Sequence, residues 1–274
     1  MIFSLHSVSR RALVPAFIVL LGGAAFAQGV VKRDVPYVPT PQDTVKRMLE
    51  LGAVKKGEFV IDLGSGDGRI AIAAAKDYGA RALGVDIDPE RIKEAKENAK
   101  KAGVSDRVEF RQENLFETPI KDADVITMYL LTSVNAKLRP RLLDELRPGT
   151  RLVSHAFDMG DWEAEVHDQS TGRSVYLWIV PAKVEGQWAV KDGERSFTLD
   201  IKQQFQMLSG NATIGGKSIP LANAKMRGSE IVFTLQVDGK PQTFHGKVSG
   251  DRMEATAGPT ATQKNWSAAR AAKG

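Results

Sequence analysis

A glycine-rich segment followed by a distant carboxylate is the part of this sequence whose residue types and spacing best fit a chemical task. Residues 62–68 read Asp-Leu-Gly-Ser-Gly-Asp-Gly, and a second carboxylate follows 24 positions beyond the first. Glycines permit positive φ and let the backbone approach a ligand without an intervening Cβ. An acidic residue at this distance can accept hydrogen bonds from both ribose hydroxyls of an adenosine. The spacing therefore predicts an adenosine-cofactor site whose lining residues are Asp62, Gly64, Ser65, Gly66, Gly68 and Asp86.

Two kinds of nucleoside cofactor could use this layout, and the details of the motif separate them. A dinucleotide fingerprint has its third glycine one place later, where this chain has Arg69. The pyrophosphate of a dinucleotide would also lie beside the Asp62 carboxylate, and like charges repel. A sulfonium cofactor that carries an ammonium group suits this carboxylate instead. A nicotinamide oxidoreductase is therefore the less favoured interpretation.

The elements that must position these residues alternate between strand-like and helix-like segments from Thr40 to about Pro181. Thr40 is expected to cap a first helix with Pro41 at its first position, and Asp88 to cap a later helix. Near-continuous apolar strands separated by helices indicate a parallel sheet that is covered on both faces. We expect strands at residues 59–61, 81–85, 107–111, 123–131 and 150–157. The fold class predicted for this part is α/β, a doubly wound Rossmann-like sheet.

The pattern changes after Pro181. Hydrophobic residues then alternate with polar ones, and turn signals such as Gly215-Gly216 and Asp238-Gly239 recur about every ten residues. Such a pattern predicts a small antiparallel all-β domain, a barrel or a sandwich. Trp188 and Trp266 stand near the two ends of this region, as expected if its terminal strands meet to close it.

The N-terminus has the pattern of a targeting segment. Residues 1–27 contain no acidic residue, and Arg10-Arg11 precedes an apolar run that ends in Ala25-Phe26-Ala27. A basic start, a short apolar region and an Ala-x-Ala site indicate a cleaved secretory signal. The Arg10-Arg11 pair also resembles a twin-arginine export signal. The predicted organisation is a signal peptide at 1–27, a cofactor domain at 28–182 and an all-β domain at 183–274. The expected location is periplasmic or secreted, or cytoplasmic if the signal is not used.

Composition and charge exclude several classes of protein. The 274 residues are 42% hydrophobic and 26% charged, which excludes a collagen-like or wholly disordered chain. Because there is no cysteine, a disulfide, a thiolate metal site and a cysteine nucleophile are also excluded. The formal net charge is +5, but residues 28–182 carry −2 and residues 183–274 carry +5. The first of these parts thus has no basic bias toward nucleic acid, whereas the second could contact an anionic surface.

Residues 62–68 match the first motif of the class I S-adenosylmethionine-dependent methyltransferases, Asp/Glu-x-Gly-x-Gly-x-Gly. The chain resembles these enzymes, and the resemblance implies S-adenosylmethionine as cofactor. It also implies that Asp86 binds the ribose hydroxyls and that Ile87 packs against the adenine. Asn114 stands where the family usually has an aspartate that contacts the adenine amino group. This substitution keeps a hydrogen-bond acceptor but loses the charge.

The resemblance extends to about residues 35–182 and is closer to one branch. Residues 37–42, 62–70, 124–131 and 154–157 are similar to the small lysine methyltransferases related to those of the ATP synthase c-subunit and the adenine nucleotide translocase. It implies that the segment before the first helix folds over the cofactor, with Tyr37 and Thr40 near the transferable methyl group. The all-β domain and the export signal lie outside the resemblance.

The acceptor side is expected after the fourth strand, which reads Asp124-Val-Ile-Thr-Met-Tyr129-Leu. It lacks the Asn/Asp-Pro-Pro-Tyr/Phe sequence of enzymes that methylate amide or base nitrogens. A lysine acceptor must lose its proton, and Tyr129 or Asp124 is the candidate acceptor or conduit. Tyr129 can equally be a core aromatic, and His155 can line the site or be structural.

Two functions of different class follow. The first is S-adenosylmethionine-dependent N-methylation, with a protein lysine as a candidate acceptor. The second is an exported protein that binds an adenosine ligand as a scaffold without turnover.

Overall fold

The computed structural model describes residues 1–2, 37–258 and 265–271. The described residues from 37 onward belong to one compact unit. The predicted signal peptide at 1–27 lies outside the described residues, apart from its first two. Within the described ranges no helix is long and apolar enough to cross a membrane.

A seven-stranded sheet forms the first part of this unit. Its strands are β1 (Phe59–Leu63), β2 (Arg81–Asp86), β3 (Val108–Gln112), β4 (Val125–Met128), β5 (Arg151–His155), β6 (Val166–Asp168) and β7 (Val175–Ile179). They lie in the order β3-β2-β1-β4-β5-β7-β6. β1 to β5 are mutually parallel, whereas β7 is antiparallel to both of its neighbours. The predicted strands are confirmed, and β6 and β7 are additional to them.

Helices cover both faces of this sheet, as the doubly wound prediction requires. The helices are α1 (Gln42–Leu51), α2 (Arg69–Tyr78), α3 (Pro89–Ala102) and α4 (Thr132–Glu145). The first three pack on one face around residues such as Met48 and Phe110, while α4 packs on the other around Leu142 and Trp178. The central strands β1, β4 and β5 therefore bury both faces, which fixes their register.

The caps of the helices agree with the sequence in one case and differ in another. The Asp88 side chain accepts a hydrogen bond from Glu90 N, and Gly103 ends α3 in the left-handed conformation. The prediction that Thr40 caps α1 is wrong, because Pro41 occupies the cap position and no side chain caps this helix. The Thr40 hydroxyl is used elsewhere, within hydrogen-bond distance of His155.

The second part of the unit is an antiparallel barrel. Its strands are β8 (Gly186–Asp192), β9 (Arg195–Gln204), β10 (Met207–Ile214), β11 (Lys217–Pro220), β12 (Ala222–Arg227), β13 (Glu230–Val237), β14 (Lys240–Ser249), β15 (Arg252–Ala255) and β16 (Trp266–Arg270). Eight of them close a ring, and β11 is a hairpin partner of β10. The terminal strands β8 and β16 pair, with Arg270 opposite Trp188. Of the two predicted architectures, barrel and sandwich, the barrel is the one that forms.

The barrel rests on the first part through the turn between β9 and β10. Phe205 in this turn stacks on Trp162, with ring centroids 5.7 Å apart. Trp162 Nε1 donates to Gln206 Oε1 at 2.8 Å, and Gln206 Nε2 donates to Glu163 O at 2.9 Å. The predicted boundary at 182/183 falls between β7 and β8. Because the junction buries aromatic rings whose polar atoms are paired, it holds the two parts together.

Candidate active site

The glycine loop, residues 64–68, joins the carboxyl end of β1 to α2. Gly64 N and Ser65 N both donate to Val85 O, at 2.9 and 2.8 Å, which ties the loop to β2. Gly66 and Gly68 have φ of 54° and 81°, values that L side chains rarely adopt. A Cβ on Gly66 would lie 2.5 Å from the Tyr37 ring. The turn therefore requires glycine for both its conformation and its close packing.

Asp62 is a buried carboxylate with one unused oxygen. Thr127 Oγ1 donates to Asp62 Oδ1 at 2.7 Å, but Oδ2 is buried and has no hydrogen-bond partner within the described residues. Burial raises the pKa of Asp62 to about 7; the Thr127 hydrogen bond opposes this shift, and the nearby Asp67 and Asp86 carboxylates add to it. A cation beside Oδ2 would satisfy this oxygen and return the group to its charged form.

Asp86 is oriented by the loop that it faces. Its Oδ2 accepts from Gly66 N and its Oδ1 from Asp88 N, both at 2.9 Å. Both donors are backbone groups, so the carboxylate is held in one orientation at the end of β2. The next residue, Ile87, is 38% exposed and leaves an apolar surface beside this carboxylate. Asp86 can therefore bind a ribose diol, and Ile87 can pack against one face of a flat apolar ring.

A strap formed by residues 37–41 lies beside the glycine loop. The Tyr37 ring contacts Gly66, and the Arg91 guanidinium lies 4.8 Å from its centroid. Arg69 Nη1 donates to Thr40 O at 2.8 Å, while the same guanidinium pairs with Asp67 at 2.5 Å. The strap is thus tied by side chains to the turn that it covers.

The acceptor side consists of side chains at the carboxyl ends of β4 and β5. Tyr129 follows β4, and the centroid of its ring lies 3.9 Å from the ring centroid of His155 at the end of β5. The His155 Nδ1 is 3.1 Å from Thr40 Oγ1. Leu130 reaches the glycine loop, where a Cβ on Gly64 would lie 2.9 Å from its Cδ2. These contacts join the strap, β4 and β5 into one cluster beside the loop.

Two predicted site residues lie elsewhere or are engaged locally. Asp124 precedes β4 at its amino end, where it accepts from Phe59 N at 2.9 Å and Arg147 Nη2 at 3.0 Å. The amino ends of the strands lie opposite the carboxyl ends that carry the glycine loop, Tyr129 and His155. The prediction that Asp124 accepts the substrate proton is therefore wrong. Asn114 lies just beyond β3, but its Oδ1 accepts from Phe116 N and its Nδ2 donates to Glu117. Its adenine contact stays a prediction.

Three members of the site were missed or undervalued by the sequence reasoning. Thr127 was treated only as part of a strand, although it supports Asp62. Arg69 was used only to reject a dinucleotide, although it anchors Thr40. For His155, the sequence does not distinguish a structural from a functional role. No local pattern signals its contact with Thr40, because 115 positions separate the two residues.

The donors and acceptors of the site fit an adenosine cofactor with an ammonium group. Two buried polar atoms of the motif, Asp62 Oδ2 and Ser65 Oγ, have no partner within the part of the chain that is described. Unpaired buried polar atoms cost free energy, so their concentration at one site indicates that a ligand completes it. S-adenosylmethionine presents a ribose diol for Asp86, an adenine for Ile87 and an ammonium for Asp62.

Comparisons with known proteins agree with this assignment. Residues 62–166 match the family model of the ANTKMT methyltransferase domain. The chain is 48% identical to a protein-lysine N-methyltransferase of Saccharolobus islandicus, over 53% of this chain and 94% of that protein. It is 33% identical to the mouse adenine nucleotide translocase lysine N-methyltransferase, over 53% of this chain and 62% of that protein.

A solved structure is similar over the same share of the chain. An RNA methyltransferase from Salinibacter ruber, in complex with S-adenosyl-L-homocysteine, is 54% identical, covers 54% of this chain and 96% of its own, and has a TM-score of 0.53. The matches thus cover about half of this chain. The chain belongs to the class I S-adenosylmethionine-dependent methyltransferases, in the family of the ANTKMT domain and the protein-lysine N-methyltransferases.

Proposed function

We propose that this chain transfers a methyl group from S-adenosylmethionine to the ε-amino group of lysine in a protein. The observation that carries the proposal is the cluster of Thr40, Tyr129 and His155 beside the glycine loop. It offers hydroxyl, imidazole and aromatic groups that can surround an amine, and the sequence around Tyr129 lacks the Asn/Asp-Pro-Pro-Tyr/Phe pattern of amide and base methyltransferases. Two of the relatives are named as lysine N-methyltransferases, which supports the same acceptor here, whereas the Salinibacter ruber structure is named as an RNA methyltransferase.

The residues of this chain bind and align the reactants. S-adenosylmethionine supplies, when bound, an electrophilic methyl group on its sulfonium. Asp86 holds the ribose, Asp62 holds the amino group, and the strap excludes water from the reacting atoms. Because the displacement is in line, the rate depends mainly on how the acceptor nitrogen is aligned. The acceptor must be a neutral amine when it reacts, and the Tyr129 hydroxyl is the group proposed to relay the proton of the lysine ammonium to water.

The methyl acceptor is identified by transfer of a deuterated methyl group. The protein is incubated with methyl-deuterated S-adenosylmethionine and three acceptors, namely a protein mixture, the same mixture with acetylated lysines, and RNA. Mass spectrometry of the hydrolysates should find the label in ε-N-methyl-lysine, and acetylation should remove it. Label in RNA, or in another amino acid, would refute lysine as the acceptor.

Cofactor affinity should depend on pH through Asp62. In the free protein its pKa is about 7, and a bound ammonium favours the charged form. Affinity for S-adenosylhomocysteine should therefore fall by up to about tenfold per pH unit below 7 and level off above it. Asp62→Asn should weaken binding at pH 8 and flatten the dependence between pH 5.5 and 8 in calorimetry. An unchanged slope in this variant would assign the titration to another group.

The same pKa shift predicts the pH dependence of stability without ligand. The folded pKa of about 7 lies above the ordinary value of 3.8, so the folded state binds more protons between these pH values. The contribution of Asp62 to stability therefore decreases as pH rises from about 4 through 7. Ligand binding removes this decrease, since it pairs the carboxylate.

Tyr129→Phe should lower turnover more than it lowers cofactor affinity. The substitution keeps the ring contacts with His155 and Phe157 but removes the hydroxyl. Loss of a proton-transfer group typically costs about 10²- to 10⁴-fold in rate. We expect kcat to fall in this range while the Kd of S-adenosylhomocysteine changes less than about twofold. Equal losses in both would make Tyr129 a packing residue.

We also propose that the protein is exported and that its barrel contacts an anionic surface. The sequence of residues 1–27 supports export, and the +5 charge of residues 183–274 supports the contact. On the outer barrel face, Lys202 and Lys225 are exposed near Met207, which is 53% exposed. The full chain should co-sediment with anionic vesicles at low salt, and less so with both lysines replaced by glutamate. Equal binding to neutral vesicles would contradict this.

A further inference from the structure

His155 is the point at which three elements of the acceptor side meet. It is the last residue of β5 and is 2% exposed. Its Nδ1 lies 3.1 Å from Thr40 Oγ1 of the strap, and its ring lies 3.9 Å from that of Tyr129, which follows β4. One side chain thus contacts both of the groups that the proposed function places at the acceptor.

Thr40 is held from two directions, and His155 supplies one of them. The Thr40 carbonyl accepts from Arg69, which pairs with Asp67 of the glycine loop. The Thr40 hydroxyl is within hydrogen-bond distance of His155 and does not cap α1. A side-chain cap stabilises a helix, so α1 lacks a stabilising contact at this position. The contact with His155 instead fixes the side-chain rotamer of Thr40 beside the glycine loop.

The imidazole is in its neutral form at physiological pH. Burial and, to a lesser extent, the Arg173 charge lower the pKa of His155 to about 4, although the Asp43 carboxylate acts in the opposite direction. A group with so low a pKa is a poor acceptor for the proton of a lysine ammonium. The neutral ring can still hydrogen-bond Thr40 through Nδ1 and pack one face against Tyr129.

We propose that His155 is a positioning residue, which fixes the Thr40 hydroxyl and the Tyr129 ring on two sides of the acceptor amine without exchanging a proton with it. The inference rests on the proposed function, because it requires an acceptor at this cluster. His155 acts on the alignment of the acceptor and not on the cofactor, whose contacts lie at the glycine loop, Asp62 and Asp86. Replacing His155 should therefore lower kcat and leave cofactor affinity unchanged.

Two substitutions separate the two contacts of His155. His155→Phe keeps an aromatic ring against Tyr129 but removes the nitrogen that faces Thr40. His155→Asn keeps a polar atom near the position of Nδ1 but removes the ring. Thr40→Val removes the hydroxyl while keeping the shape of the side chain. His245→Phe, on β14 of the barrel, is the matched control for the loss of a histidine ring.

Turnover is measured as formation of S-adenosylhomocysteine, whichever atom accepts the methyl group, and cofactor affinity by calorimetry. We expect His155→Phe and Thr40→Val each to lower kcat at least tenfold, with the Kd of S-adenosylhomocysteine within about twofold of wild type. The double variant should be no slower than either single variant, because both remove the same hydrogen bond. His155→Asn should recover part of the loss in His155→Phe. His245→Phe should have wild-type kcat.

A second measurement determines the protonation state of His155 without an activity assay. Nitrogen chemical shifts of the His155 ring should report a neutral imidazole at pH 5.5, and Thr40→Val should change the shift of Nδ1. Protonation near pH 6.5, additive losses of kcat in the double variant, or an unchanged kcat in His155→Phe would each overturn the proposal. Wild-type turnover without methyl-lysine would instead refute the proposed acceptor and leave the kinetic test of His155 intact. Absence of any turnover would overturn both.

Discussion

Asp86→Ala should weaken binding of S-adenosylhomocysteine by about 1.5–3 kcal/mol, which corresponds to about 10- to 150-fold in Kd. The carboxylate is oriented by Gly66 N and Asp88 N, so its remaining acceptor positions are available to a ribose diol. The substitution removes both hydrogen bonds to the ribose at once. It also leaves the two backbone donors without their carboxylate partner, which loosens the glycine loop. Calorimetry measures the affinity directly.

The control for Asp86→Ala is Asp106→Ala, because Asp106 is an exposed carboxylate in the turn between α3 and β3. This variant should bind S-adenosylhomocysteine as wild type does. Asp86→Asn keeps an acceptor and should lose less affinity than Asp86→Ala. If Asp86→Ala binds as tightly as the Asp106 control, the assignment of the ribose contact is wrong.

Gly68→Ala should unfold more easily than wild type by about 2–5 kcal/mol. Gly68 has φ of 81°, which costs an L residue about 1–2 kcal/mol. Its Cβ would also lie 2.4 Å from Phe110 Cζ and 2.9 Å from Ala95 Cβ, both in the core under α2 and α3. Overpacking of this kind typically costs about 1–3 kcal/mol more. Denaturant unfolding with and without S-adenosylhomocysteine gives the values.

A matched glycine separates the two costs. Gly103 has φ of 70°, and a Cβ there would meet nothing within 4 Å. Gly103→Ala should therefore lose only the conformational part, about 1–2 kcal/mol. Phe110→Leu in the Gly68→Ala background should recover part of the remaining loss. Equal destabilisation by the two glycine variants would contradict the packing argument.

The sequence predicts most of the first part of the fold because its signals are local. The strand before residue 62, the glycine turn and the cap at Asp88 each depend on neighbouring residues, and the structure has all three. The pairing of β7 between β5 and β6 depends on contacts between distant residues, which a single sequence does not display. The closure of the barrel was suggested by Trp188 and Trp266, and the strands that carry them pair.

The candidate site was predicted on its cofactor side and less well on its acceptor side. Asp62, Asp86 and the glycines are fixed by a motif with constant spacing. The assignment of Asp124 is wrong because ligands of a parallel sheet bind at the carboxyl ends of its strands, whereas Asp124 precedes β4 and only Tyr129 follows it. The contact of Thr40 with His155 spans 115 positions, so only the fold brings it about.

A crystal structure of the protein with S-adenosylhomocysteine tests the central claim most directly, since that claim assigns one cleft to the cofactor and to methyl transfer. We predict the ribose on the Asp86 carboxylate, the amino group beside Asp62 Oδ2, and the thioether sulfur facing Thr40 and Tyr129. A ligand bound outside the glycine loop, or one whose sulfur faces away from that cluster, would contradict the account.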